Sequence, residues 1–207
     1  MIKLDMQIPG WLSEAPLRII AEHVQKLPAG SNILELGAYL GRTSVVLAAN
    51  APDCIIHTID LWVDQDRDEI EFLKRYNRQK HTYSDQFYEI DRLMAATGMF
   101  SGEDFYKLWC YNTRHYQNIK HYRQDTTRIA TEQFADFDFI LMDASHDLVG
   151  VTKELERWWP KLKTPGTIII DDYESWPGVK QGVDDFFSRT PNANMTHTPY
   201  NIVIVDR

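Results

Sequence analysis

Four runs of strand length in this sequence close on carboxylates. CIIHTID (54–60) ends on Asp60, IKHYRQD (119–125) on Asp125, FDFILMDA (137–144) on Asp143, and TIIIDD (167–172) on Asp171 and Asp172. An unpaired charge in a low-dielectric interior costs several kcal/mol or more, so each acid must meet water, a partner or a bound ligand. A fold that satisfies them together has to deliver these strand ends to one accessible edge.

The sequence between the runs supplies helices. After Ser13, a candidate N-cap, Leu17, Ile20, Val24 and Leu27 recur at helical spacing until PAG (28–30) stops them. NILELG (32–37) then reads as the first strand, and GRTSVVLAAN (41–50) as a helix ended by Pro52. Between the fourth and fifth strands Leu148, Val151, Leu155, Trp158 and Leu162 share a helical face, with Pro160 near its end and KTPG (163–166) as the turn. A helix carrying Val179, Val183 and Phe186 leads to two last strands, around MTHT (195–198) and NIVIVD (201–206), with Pro199 between them. Strands alternating with helices imply parallel pairing through right-handed crossovers, and ligands bind such sheets at the carboxyl ends of the strands. We expect a single α/β domain over residues 1–207: a Rossmann-like, doubly wound, mainly parallel seven-stranded sheet closed by an antiparallel C-terminal hairpin.

The regular order breaks once, after the second strand, where residues 64–118 form a helical insertion. Its first part, DQDRDEIEFLKRYNRQKH (64–81), reads as a charged helix; its second, SGEDFYKLWCYNTRHYQN (101–118), is rich in aromatics, with Phe105, Tyr106, Trp109 and Tyr111. Insertions of this length at a ligand edge serve as lids or subunit contacts, so a homo-oligomer is one expectation. A surface helical pair with no role of its own is the plain alternative.

The net charge of −8 argues against a surface that works by neutralising phosphates, so nucleic acid is not expected as a partner. The first residues lack the basic end and apolar run of a signal peptide, and no segment approaches 18 unbroken apolar residues. We therefore expect a cytoplasmic protein without a membrane partner, with Cys54 and Cys110 as buried thiols.

The turn after the first strand, ELGAYLGRTS (35–44), has glycines at 37 and 41 but Tyr39 where a dinucleotide-binding GxGxxG loop wants its close-approach glycine. Glu35 precedes the first glycine, and Asp60 ends the next strand, where a carboxylate can accept from ribose hydroxyls. An acid in this loop would repel a pyrophosphate and attract the ammonium and sulfonium of S-adenosylmethionine.

Glu35-x-Gly37-x-x-x-Gly41, Asp60, Asp125 and the DASHD (143–147) and GTIIIDDY (166–173) segments together resemble the class I S-adenosylmethionine-dependent methyltransferases. More narrowly, they resemble the metal-dependent O-methyltransferases that tailor macrolide sugars and cephalosporins. The resemblance covers roughly residues 8–65 and 119–190 and fails across the insertion. It implies that Glu35, Gly37 and Gly41 cradle the methionyl part of the cofactor, with Thr43 and Ser44 behind them as hydroxyl donors. Asp60 would take the ribose hydroxyls, Trp62 would cover the adenine face, and Asp125 would accept from the adenine amino group.

Asp143, Asp171 and Asp172 are hard oxygen ligands at neighbouring strand ends, which suits Mg²⁺, Mn²⁺ or Ca²⁺ better than zinc. The resemblance implies that they hold such an ion, with an Asp-Asp pair where catechol-type relatives have Asp-Asn. It also makes His146 the general base for a small hydroxylated acceptor, helped by the ion. Asp147 reads instead as the N-cap of the next helix. His57 and His121, inside strands, read as structural. Two other functions compete: a non-catalytic S-adenosylmethionine-binding or assembly protein whose insertion docks a partner, and a nicotinamide-dependent oxidoreductase. Glu35 and Tyr39 speak against the latter.

Overall fold

The structure, a computed structural model, describes residues 1–63 and 101–207. Most of the insertion, including its charged first part, lies outside these residues. Seven strands run β1 (Asn32–Leu36), β2 (Ile55–Asp60), β3 (Ile119–Arg123), β4 (Phe137–Met142), β5 (Leu162–Ile170), β6 (Asn194–His197) and β7 (Val203–Asp206). They form one sheet in the order β3-β2-β1-β4-β5-β7-β6. The first five pair in parallel, and β7 pairs antiparallel with both β5 and β6. This is the expected architecture.

The described helices are α1 (Glu14–Val24), α2 (Arg42–Asn50), α3 (Gly102–Thr113), α4 (Leu148–Trp158) and α5 (Pro177–Phe187). They cover both faces of the sheet, which is why its central strands are apolar in succession rather than alternately. On β4, Phe139 and Leu141 face one way, into a core shared with Leu17, Ile20 and Val24 of α1 and Leu47 of α2. Ile140 and Met142 face the other way, against Val151, Leu155 and Trp158 of α4 and Val179 and Val183 of α5. A third, smaller cluster joins Trp62, Phe105 and Trp109 to Leu40 and Val45. It docks α3, the described end of the insertion, on the glycine turn and α2.

Several boundaries differ from the sequence reading. Helix α1 ends at Val24, so Leu27 lies beyond it, partly buried against the same core. The α4 pattern stops at Trp158 because Pro160 enforces a short 3-10 turn, and Leu162 already belongs to β5. The KTPG turn survives as an excursion within β5. Pairing with β4 jumps from Phe137↔Leu162 to Phe139↔Thr167, so residues 163–166 leave the ladder. Cys54 is buried as expected, but Cys110 is only partly so, and both are free thiols. No helix among the described residues is long and apolar enough to cross a membrane.

Candidate active site

The sheet order places β1 beside β4, and the turn after β1 is shaped by that neighbour. Gly37 has φ +83, and a Cβ there would lie 1.9 Å from the Asp143 carbonyl oxygen. Only glycine fits. Tyr39 (φ +46) and Gly41 (φ +92) continue the left-handed turn into α2. Asp60, at the end of β2, braces it. Its Oδ2 accepts from the Ala38 and Tyr39 amides at 2.7 and 3.0 Å, and its Oδ1 from the Trp62 amide at 2.6 Å. The Trp62 indole donates to the Tyr39 carbonyl at 2.8 Å and packs against Tyr106 and Trp109.

Glu35 departs from expectation. It lies within β1, whose two faces are both covered, and is fully buried beneath the turn instead of pointing into the cleft. Its Oε2 accepts from Ser44 at 2.6 Å and Thr58 at 2.7 Å, and the Trp109 indole donates in turn to Ser44 at 3.0 Å. Oε1 is buried with no hydrogen-bond partner among the described residues. Burial raises the carboxyl to about 7, partly offset by the Ser44, Thr43 and Thr58 hydroxyls and reinforced by the charge of Asp60. The long-range attraction of a fixed anion for a sulfonium is correspondingly weaker than the sequence suggests.

The acids at the two ends of the sheet have different surroundings. At the start of β4, Asp138 is paired with Lys163 at 2.9 Å and accepts from the Asn32 amide at 2.8 Å. At the other end Asp143 faces Asp171 and Asp172. Burial first, then these like charges, holds the Asp143 carboxyl well above the ordinary range, with His146 opposing. Burial and Asp172 do the same to Asp171. His146 Nε2 lies 3.1 Å from Asp172 Oδ2, and its ring stacks on Trp176 at 4.8 Å. Single donor atoms of Asp143, His146 and Asp172 all fall within 4.8 Å of one another. The convergent set thus contains His146 where the sequence suggested Asp171, which lines the same cleft but stands outside the set. The two carboxylates are hard oxygen donors of the kind that suits a divalent cation such as Mg²⁺ or Mn²⁺, and the imidazole beside them is not a donor Mg²⁺ favours.

The loop after β4 is fixed from both sides. Asp147 caps α4 as expected, its Oδ1 accepting from the Val149 and Gly150 amides at 3.0 Å. The buried Glu154 of α4 accepts from Ser145 at 2.8 Å and also from Thr126. Asp125 lies past the end of β3, which stops at Arg123, and its Oδ1 accepts from the amide and hydroxyl of Thr127 at 2.8 and 2.7 Å. Burial pushes its carboxyl up, but those bonds and the charges of Arg128 and Lys153 outweigh it and leave the group below its usual value. His57 and His121 sit in β2 and β3; His57 stacks on Tyr122, and burial, with the charge of Lys120, lowers its pKa, while the His121 ring lies against Tyr106 and Trp109.

These elements enclose a cleft of about 870 Å³, within the range of small-molecule sites. Gly37, Thr43, Asp60, Trp62, Asp125, Asp143, His146, Asp171 and Asp172 all line it; Glu35, Gly41 and Ser44 do not. Trp11, Phe105 and Tyr200 contribute aromatic wall. The sequence reading missed Arg42, whose buried guanidinium donates to the carbonyls of Ile8, Gly10 and Leu12 and so ties the N-terminal wall to the start of α2. It also missed Asn201, on the β6–β7 turn. An arginine directly after the glycine turn was the available signal for the first.

Comparison with known proteins places this geometry. Residues 34–173 match the family described as Methyltransferase domain. No curated protein matches the sequence. Among solved structures, the O-methyltransferase NovP aligns with 93% of this chain and 79% of its own, at 15% identity and a TM-score of 0.66. A Staphylococcus aureus protein assigned as a caffeoyl-CoA O-methyltransferase covers 96% and 85%, at 16% identity and a TM-score of 0.58. SMU.1697c of Streptococcus mutans, assigned as a methyltransferase and solved with SAH, covers 94% and 99%, at 11% identity and a TM-score of 0.56. Proteins described as rRNA methylases match at similar strength. At these identities the likeness is one of fold.

Proposed function

We propose that this chain, which belongs to the methyltransferase-domain family and is an S-adenosylmethionine-dependent methyltransferase of class I fold, methylates a hydroxyl of a small acceptor with the help of a divalent cation, Mg²⁺ in the first instance. The observation that carries the reading is the convergence of Asp143, His146 and Asp172 beside the glycine turn. In this reading the cofactor lies along Gly37, Thr43, Asp60, Trp62 and Asp125, with Asp143 and Asp172 holding the cation and Asp171 at its side. S-adenosylmethionine, when bound, supplies a methyl group on a sulfonium; the cation, when bound, supplies charge that lowers the pKa of an acceptor hydroxyl.

His146 then has a defined task. It takes the hydroxyl proton on the ring nitrogen turned away from Asp172, while the contact of Nε2 with Asp172 and the Trp176 face fix its ring, and a base so placed is worth roughly 10²–10⁴-fold in rate. Gly37 and the turn beyond it hold the reacting groups in line. Carboxylates of Asp60, Asp125, Asp143, Asp171, Asp172 and Glu174 line the cleft, against Arg42 alone among the described lysines and arginines, and its guanidinium serves backbone carbonyls. That balance favours an uncharged hydroxylated acceptor, such as a sugar or natural product, over a nucleic-acid or other phosphate-bearing one.

The test is calorimetric titration with S-adenosylhomocysteine followed by methyl-transfer assays on a panel of sugars and phenols, with Mg²⁺ and with EDTA. Wild type should bind the cofactor product and turn over only with the cation. Asp143→Asn should retain the binding and lose the turnover. Full turnover in EDTA, or in Asp143→Asn, would refute the role of the cation.

A further inference from the structure

The turn between β6 and β7 reaches back over the end of β5, and Asn201 makes the contact. Its φ is +64, in the left-handed region that asparagine tolerates better than most residues. In that conformation three of its polar atoms meet residues 172–174. Its carbonyl accepts from the Tyr173 amide at 3.0 Å, its Oδ1 from the Glu174 amide at 2.8 Å, and its Nδ2 donates to Asp172 Oδ1 at 3.1 Å. Asp172 is itself left-handed, at φ +62. Its two oxygens therefore have separate partners: Asn201 on Oδ1, and the His146 ring on Oδ2.

We propose that Asn201 is a positioning residue that fixes the Asp172 carboxylate, so that Oδ2 faces His146 and Asp143. Side-chain torsion alone would let Asp172 turn away from its like-charged neighbours Asp143 and Asp171, and repulsion favours that turn. The Asn201 amide opposes it by donating to the oxygen on the far side, while its Oδ1 pins the backbone two residues on. Glycine would accept the same backbone but supply neither bond; aspartate would set a fourth carboxylate against the cluster. Asn201 also lines the cleft together with Thr198, Pro199 and Tyr200. The hairpin wall and the acid site are thus tied to each other. This inference rests on reading Asp143, His146 and Asp172 as the cation and proton site.

The test compares wild type with Asn201→Gly by Mn²⁺ titration followed by electron paramagnetic resonance, by calorimetry with S-adenosylhomocysteine, and by amide hydrogen exchange at Glu174. Loss of an outer partner of a metal ligand weakens metal binding roughly 10–100-fold. We expect a weakening of that order for Mn²⁺, an unchanged affinity for S-adenosylhomocysteine, and fast exchange at Glu174 where wild type is protected. Equal Mn²⁺ affinity in the two proteins would overturn the positioning role. If wild type binds no Mn²⁺, the cation reading fails, and Glu174 exchange decides separately whether Asn201 clamps this loop. Should the variant not fold, the wild-type exchange still decides: Glu174 is exposed, so an unprotected amide would mean the clamp does not form.

Discussion

Glu35 makes the stability of this protein depend on pH in a direction opposite to that of most carboxylates. Its carboxyl is raised from 4.5 to about 7 by full burial, with the charges of Asp60 adding to the effect and the hydroxyls of Ser44, Thr43 and Thr58 subtracting from it. A raised acid binds its proton more tightly in the folded chain than in the unfolded one. The resulting stabilisation is complete below the unfolded value, erodes as pH rises, and is gone above the folded one. Each pKa unit is worth about 1.4 kcal/mol, so between about pH 5 and about pH 8 this group alone should remove about 2 to 3 kcal/mol. Glu35→Gln keeps an oxygen for Ser44 and Thr58 and cannot titrate. Guanidinium unfolding of both proteins at the two pH values isolates the effect, because groups that Glu35 does not influence cancel in the difference. Wild type should lose about 2 to 3 kcal/mol more than the variant over the interval. Parallel losses would mean that Glu35 is ionised in the folded protein and that its buried oxygens are better solvated than their surroundings imply.

Other substitutions follow from single contacts. Gly37→Ala sets a Cβ against the Asp143 carbonyl at a strained φ, and should cost about 3 kcal/mol or more in a thermal melt and abolish S-adenosylhomocysteine binding. Arg42→Met leaves three carbonyls of the N-terminal wall without their donor; we expect a loss of about 2 kcal/mol and faster proteolysis before residue 13, and equal cleavage rates would refute the strap. Asp147→Ala removes the cap of α4 at about 1 kcal/mol in urea, with cofactor-product affinity unchanged.

The parts of this fold that were legible in sequence are those carried by repetition. The apolar runs and the acids that close them fixed seven strands and one ligand edge, because buried strands and helical faces repeat a pattern over many residues. The glycine pair was legible too, although the reason for Gly37, the approach of the Asp143 carbonyl, comes from a segment more than a hundred residues away. Glu35 was misread because the loop motif drew attention from the strand: a residue between Leu34 and Leu36 in a sheet covered on both faces is buried. That His146 rather than Asp171 stands within 4.8 Å of both Asp143 and Asp172 was not legible, because spacing gives which residues reach an edge but not their rotamers. Arg42 and Asn201 act through backbone groups of distant segments, and no periodicity announces such contacts. A non-glycine left-handed turn, as at Asn201, offers at most the choice of asparagine as a clue.

The two ends of the sheet bear on how copies of this chain can meet. Among the described residues its edge strands, β3 and β6, are five and four residues long. Neither presents an apolar run: Lys120, His121 and Arg123 are exposed on β3, and Asn194, Thr196 and His197 on β6. Short edges carrying charged or polar side chains discourage the backbone pairing by which one sheet extends into another. Strand-to-strand polymerisation through these two described edges is therefore disfavoured in the folded protein.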